Sequence, residues 1–142
     1  MQNKSSARVL AVDWGAKRIG LALSDPTQTI ASPLMVIPHT SRVEDASVII
    51  KIAVEKEAGA IVVGASYDEN NQLTPSGRSA ERLAEELRSL SVLDVKLVDE
   101  EGSTRTAMRS RLQIGVPKSR RCGHFDAIAA QIILQRYLDG QI

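Results

Sequence analysis

RVLAVDWGAKRIGLALSD, residues 8–25, decides how the chain is read. Val9 to Val12 is a short continuous apolar run, the pattern of a strand buried on both faces. It ends on Asp13, followed by the chain's one tryptophan, Trp14, and by Gly15, which lets the backbone turn away. Ile19, Leu21 and Leu23 then alternate with Gly20, Ala22 and Ser24, as in a second strand with one bulky and one thin face. A third apolar stretch, Ile30 to Ile37, contains Pro33, which cannot donate to a ladder and so predicts an edge or irregular strand.

Beyond His39-Thr40-Ser41 the period changes. Val43, Ala46, Ile49, Ile50, Ala53 and Val54 recur at helical spacing, with Gly59 as the expected stop. Ala60 to Gly64, AIVVG, reads as another buried strand, and a polar loop, ASYDENNQLTPSG, leads into a helix with Ala80, Leu83, Ala84, Leu87 and Leu90 on one stripe. Val95 to Val98 is the fifth strand. A helix is expected from Ser103 to Gly115, stopped by Gly-Val-Pro, and a last one from His124 to Leu138. Three strands followed by strand-helix units give an α/β fold: a mixed five-stranded sheet, an antiparallel meander continued by parallel strands, with helices on both faces. In such sheets ligands bind beyond the carboxyl ends of the parallel strands, where Asp13 sits.

A chain of 142 residues, 43% of them apolar, suits one domain over 1–142, with the polar residues 1–7 expected to be flexible. No apolar stretch approaches the roughly 20 residues a bilayer demands, and no secretory signal is visible, so the expectation is a cytoplasmic protein with no membrane partner. One cysteine, Cys122, excludes an internal disulfide framework and a Cys-rich zinc site. The net charge of +1 does not by itself announce a nucleic-acid binder. Its distribution says more: between Glu101 and Asp126 lie Arg105, Arg109, Arg111, Lys118, Arg120 and Arg121, six of the chain's 18 basic residues and none of its 17 acidic ones. Such a segment is either a solvated helix face or a surface for phosphate.

Three acidic positions stand where core-forming elements end or face inward. Asp13 ends the first strand; Asp99 and Glu100 end the Val95 to Val98 strand, at the same edge if the two run parallel. At about 100° per residue, Ala129, Ala130, Ile133 and Tyr137 fall within roughly 60° of Asp126, and Gln131, Gln135 and Asp139 fall on the other side. Asp126 therefore occupies the apolar face of the last helix, where a carboxylate needs a cation, a metal or a proton. Taken singly, each has an ordinary structural explanation: a turn-forming Asx, a loop start, a first-turn helix acid. Taken together, carboxylates converging at a sheet edge repel unless a divalent cation sits among them, and oxygen ligands suit Mg²⁺ or Mn²⁺. Such ions activate water and stabilise the leaving oxygen of a phosphodiester, which makes phosphodiester hydrolysis the natural hypothesis.

The residues also carry a family resemblance. DWGAKRIGLALSD, residues 13–25, resembles the D-aromatic-G-x-K-x-I-G-x-A-x-S-D opening of the YqgF (RuvX-like) Holliday-junction resolvases, also described as pre-16S rRNA nucleases. AIVVG with its polar loop, VKLVDE followed by Ser103-Thr104, and HFDAIAAQIILQRYLD recur in the family's order and spacing, so the likeness runs from about Arg8 to Asp139. It implies an RNase H-like fold and a metal-dependent nuclease acting on structured nucleic acid, either in maturing the 5′ end of 16S rRNA or in resolving branched DNA. Carried over by position, it implies Asp13, Glu100 and Asp126 as catalytic and metal-binding acids, with Asp99 a further metal candidate. Lys17, Arg18, Arg105, Arg109, Lys118, Arg120 and Arg121 are the candidate nucleic-acid contacts, and a symmetric resolvase implies a homodimer. Asp25 matches the motif too, but Pro26 assigns it to a turn. Two departures stand out: Glu101-Gly102 replaces the usual Arg and apolar residue, and Gly64-Ala65-Ser66 replaces Gly-Leu-Pro, which predicts a freer loop.

Two other readings compete. An aspartate and glycine after a first strand also occur in sugar-kinase and actin-like ATPases, whose two related domains exceed what this chain supplies. A non-catalytic RNA-binding or ribosome-assembly module on the same fold is the stronger alternative, although 3% aromatic residues offer little for single-strand stacking.

Overall fold

β1 (Arg8–Asp13) occupies the centre of a five-stranded sheet of order β3-β2-β1-β4-β5, which explains why Val9, Leu10, Ala11 and Val12 are all buried. The structure, a computed structural model, describes residues 7–100 and 124–142, the side chains of His124, Phe125 and Asp126 excepted. β1 pairs antiparallel with β2 (Arg18–Ser24), which pairs antiparallel with β3 (Ala31–Pro38). On its other side β1 pairs parallel with β4 (Ala58–Ala65), and β4 with β5 (Asp94–Asp99). The meander and its parallel continuation are thus as the residue pattern predicts. β3 is an edge strand, and its register shifts opposite Leu21 and Ala22, so that Pro33 is accommodated where a ladder donor is missing.

Alternating side chains of β1 build two cores. Leu10 and Val12 join one with residues of α1 (Arg42–Glu55) and α2 (Pro75–Leu90); Val9 and Ala11 join another with Ala130, Ile133 and Leu134 of α3 (His124–Leu138). Each fully buried aliphatic side chain contributes about 1.5–3 kcal/mol relative to exposure. Among the described residues no helix is long and apolar enough to cross a membrane.

Chain direction gathers several element ends in one place. β1, β4 and β5 all end at one rim of the sheet, β2 begins there, and β3 ends there. Because α1 and α2 each return from that rim to the start of the next parallel strand, their N-termini also lie on it. Ser41 caps α1 by accepting from Glu44 N at 3.2 Å, and Thr74 caps α2 by accepting from Gly77 N at 3.1 Å, with Pro75 in the first turn.

Several local expectations are corrected. Gly59 does not stop α1: the helix ends at Glu55, Glu57 takes the left-handed turn with φ 62°, and Gly59 already belongs to β4. The buried stripe of α1 is Ala46, Ile49, Ile52 and Ala53, whereas Val43 and Val54 face solvent, more than 90° around the helix from its centre. Leu90 is exposed at the end of α2. The loop after β4 is pinned rather than free: Thr74 N donates to Ser66 O at 3.1 Å, Tyr67 bridges Leu73, and Asp68 Oδ1 accepts from Asn70 N and Gln72 N. Gln131 and Gln135, expected on the outer side of α3, instead clasp β3. Gln135 Oε1 accepts from Ala31 N at 2.9 Å, and Gln131 Nε2 donates to Ala31 O at 3.1 Å. The expected helix over 103–115 and the leading residues 1–6 lie outside the described residues.

Candidate active site

Asp13 is the last residue of β1, held in register with Gly20 of β2 on one side and Gly64 of β4 on the other. Both neighbours lack a side chain, so the half-buried Asp13 carboxylate stands in space that larger residues would fill. Alternation places Asp13 on the same face as Val9 and Ala11, the face covered by α3. Just beyond, the chain reverses tightly: a Cβ on Gly15 would stand 2.4 Å from the Arg18 carbonyl oxygen, so no other residue fits that turn. Lys17 and Arg18 are carried by this turn, and Lys17 O accepts from His39 N at 3.0 Å, tying the turn to the end of β3.

Glu100 follows β5 and keeps strand-like pairing, its N–H donating to Ala65 O at 3.0 Å. Val98, two residues earlier, lies in the α3-side core, so Glu100 shares the face of Asp13. Gly64 sits between the two acids. A Cβ there would meet Glu100 Oε1 at 3.2 Å, Glu100 Cβ at 3.2 Å and Ile133 Cδ1 at 2.8 Å. The missing side chain of Gly64 is thus the floor over which the Glu100 carboxylate lies, bordered by α3. Asp99 takes the opposite face. Its negative charge, second to burial, helps raise the Tyr67 hydroxyl above its usual range on the α1–α2 side. Glu100, not Asp99, accompanies Asp13.

Asp126 belongs to the first turn of α3 and precedes Ile133 by seven residues, about 10.5 Å along the axis and about 20° around it. The side chain of Asp126 lies outside those the structure describes. Among the described residues the two acids share this face, and no cluster of three metal-ligating side chains occurs. The chemistry of the donor set nevertheless suits a hard divalent cation: carboxylate oxygens carried at the ends of two parallel strands. Glu101, Arg105, Arg109, Lys118, Arg120 and Arg121 lie outside the described residues.

Asp25 has the turn role assigned to it. Its carboxylate accepts from Ile30 N at 3.0 Å and Thr29 N at 2.8 Å and from the Thr27 hydroxyl. These bonds, led by that from Ile30, lower its pKa to about 2. Gly64 is what sequence reasoning missed: its signal was a glycine ending a buried strand level with Asp13. Trp14 packs partly against the α1–α2 core, its ring edge-on to His39 at 5.5 Å, as a packing residue should.

The chain is similar to known proteins over nearly its whole length. Residues 7–140 match the RuvX family, described as Holliday junction resolvase. A relative from Roseiflexus sp. (strain RS-1), named "Putative pre-16S rRNA nuclease", is 36% identical over 94% of this chain and 95% of its own. A relative of the same name from Anaeromyxobacter sp. (strain Fw109-5) is 38% identical over 94% of this chain and 98% of its own. Among solved structures, T. thermophilus RuvC in complex with Holliday junction substrate superposes with a TM-score of 0.58 at 14% identity, covering 95% of each chain. The Fowlpox virus resolvase bound to Holliday junction DNA gives 0.53 at 8% identity, covering 95% of this chain and 99% of that one. At such identities the likeness speaks for the fold, which is RNase H-like. With the match spanning nearly the whole chain, the protein belongs to the RuvX family of Holliday junction resolvases, a family of phosphodiester-hydrolysing enzymes.

Proposed function

We propose that the protein is a divalent-metal-dependent nuclease acting on structured nucleic acid, with Asp13, Glu100 and Asp126 as its catalytic and metal-binding acids. The observation that carries this is the placement of Asp13 and Glu100 on one face of one rim, either side of Gly64. A divalent cation held by two carboxylates so placed would offset their mutual repulsion. Mg²⁺ or Mn²⁺ bound there would supply an activated water and charge neutralisation at the phosphodiester. The chain's own part is positional. Strand burial fixes Asp13 and the backbone bond to Ala65 fixes Glu100; in this reading Asp126, in the first turn of α3, is the third ligand. Lys17 and Arg18 hold the nucleic-acid backbone at the rim, and the basic residues Arg105, Arg109, Lys118, Arg120 and Arg121 extend that contact.

The names of the relatives favour pre-16S rRNA as substrate, whereas the family description favours branched DNA. Cleavage assays on pre-16S rRNA fragments and on four-way DNA junctions, with Mg²⁺ or Mn²⁺ and with chelator, test the reading: product from either substrate with metal alone supports it, and none from both refutes it. Symmetric nicking of a junction calls for two copies of the chain, so solution mass measured beside the junction assay tests the homodimer.

A further inference from the structure

On the opposite face of the same rim, a concave pocket of about 230 Å³ opens between the N-terminal turns of α1 and α2. Trp14, His39, Ser41, Arg42, Ser79 and Arg82 line it. Trp14 adjoins Asp13 in the chain, so the pocket and the acidic site are back to back across the end of β1. We propose that this pocket binds one unpaired nucleotide, its phosphate held by Arg82 and Arg42 and its base against the Trp14 indole.

Charge selects an anion. The nearby carboxylates are already engaged: the buried Asp45 accepts from His39 Nδ1, from Thr40 N at 3.0 Å and from the Thr40 hydroxyl at 3.3 Å, and Glu86 lies 3.5 Å from Arg42 Nε. Arg82 has no ion-pair partner among the described residues. Arg42 begins α1, whose free backbone N–H groups add partial positive charge at the pocket mouth. Ser41 and Ser79 supply hydroxyls of the kind that bond phosphate oxygens, and planar guanidinium groups match them in pairs. Size and aromatic lining select the rest. A volume of about 230 Å³, below the roughly 300–1,000 Å³ of sites that enclose a drug-sized ligand, seats part of one nucleotide with the rest open to solvent, and excludes a duplex. Indole and guanidinium planes are the surfaces on which unstacked bases settle. The His39–Asp45 contact and the bond from His39 N to Lys17 O make the pocket wall continuous with the turn that bears Lys17 and Arg18.

That the nucleotide belongs to the strand being cut rests on the nuclease reading; the pocket's chemistry does not. Because Trp14 is the chain's only tryptophan, its emission reports the pocket directly. The test is a fluorescence titration of the full chain with adenosine 5′-monophosphate and, separately, inorganic phosphate, both in chelator. The proposal expects a saturable change with the nucleotide, weaker binding of phosphate alone, a dissociation constant at least tenfold higher in Arg82→Gln, and no change in Arg78→Gln, one turn back on α2, or in Asp13→Asn. No saturable change, equal affinity for phosphate, or an unaltered constant in Arg82→Gln overturns it. Binding that persists in a chain unable to cleave any substrate leaves the pocket standing and removes the nuclease reading.

Discussion

Glu100 lies against Gly64 so closely that a single added carbon at position 64 would come within 3.2 Å of its carboxylate oxygen and 2.8 Å of Ile133. The glycine, the acid and the helix that closes the face form one unit. Gly64→Val is expected to displace Glu100 or α3, with a stability loss of about 1–3 kcal/mol by overpacking and a larger loss of cleavage. Denaturant midpoints beside rates separate the two effects. A variant as stable and as active as the parent contradicts the close packing described.

The clasp between α3 and β3 gives a second prediction. Gln135 serves the edge strand through Ala31 N and Thr29 O, so Gln135→Ala leaves backbone groups without their protein partners. Losing such bonds costs roughly 1–3 kcal/mol where the groups are buried, as at Ala31, and less at the exposed Thr29. Hydrogen exchange should show faster opening of Ala31, with the centre of β1 unaffected.

Much of this was legible in residues 8–25. The apolar runs identified all five strands, since a buried strand needs a continuous or alternating pattern and both survive folding unchanged. Helix faces were read less well. Val43 and Val54 suit a helical stripe in sequence, but the inward face of α1 is set by Ala46, Ile49 and Ala53 together with Asp45, a carboxylate drawn inside by His39 and Thr40. The end of α1 was misplaced because Glu57 adopts a left-handed conformation more usual for glycine. Asp13 and Glu100 were legible as acids ending parallel strands. That Asp99 faces away from Glu100 comes only from the pleat, which hands consecutive residues to opposite faces.

Acid sensitivity supplies a third prediction. The Asp25 pKa is lowered from 3.8 to about 2 by bonds from Ile30 N, the Thr27 hydroxyl and Thr29 N, so the folded state prefers the ionised form. The corresponding stability is present above the unfolded pKa and is lost as pH falls from about 4 toward about 2. Asp25→Asn should therefore be less stable than the parent at pH 7, and its urea midpoint should fall less between pH 5 and pH 2. Parallel curves for the two proteins would show that the turn does not hold Asp25 as described.

Asp13, Glu100 and Asp126 are proposed to bind a divalent ion and cleave a phosphodiester. Single-turnover cleavage of a pre-16S rRNA fragment and of a four-way junction, comparing the parent with Asp13→Asn in Mg²⁺, in Mn²⁺ and in chelator, tests it most directly. The account predicts metal-dependent product from at least one substrate, reduced more than about 100-fold in the folded Asp13→Asn protein, since even partners of a metal ligand cost 10–100-fold when removed. Full activity in Asp13→Asn, or product that forms equally in chelator, would contradict it.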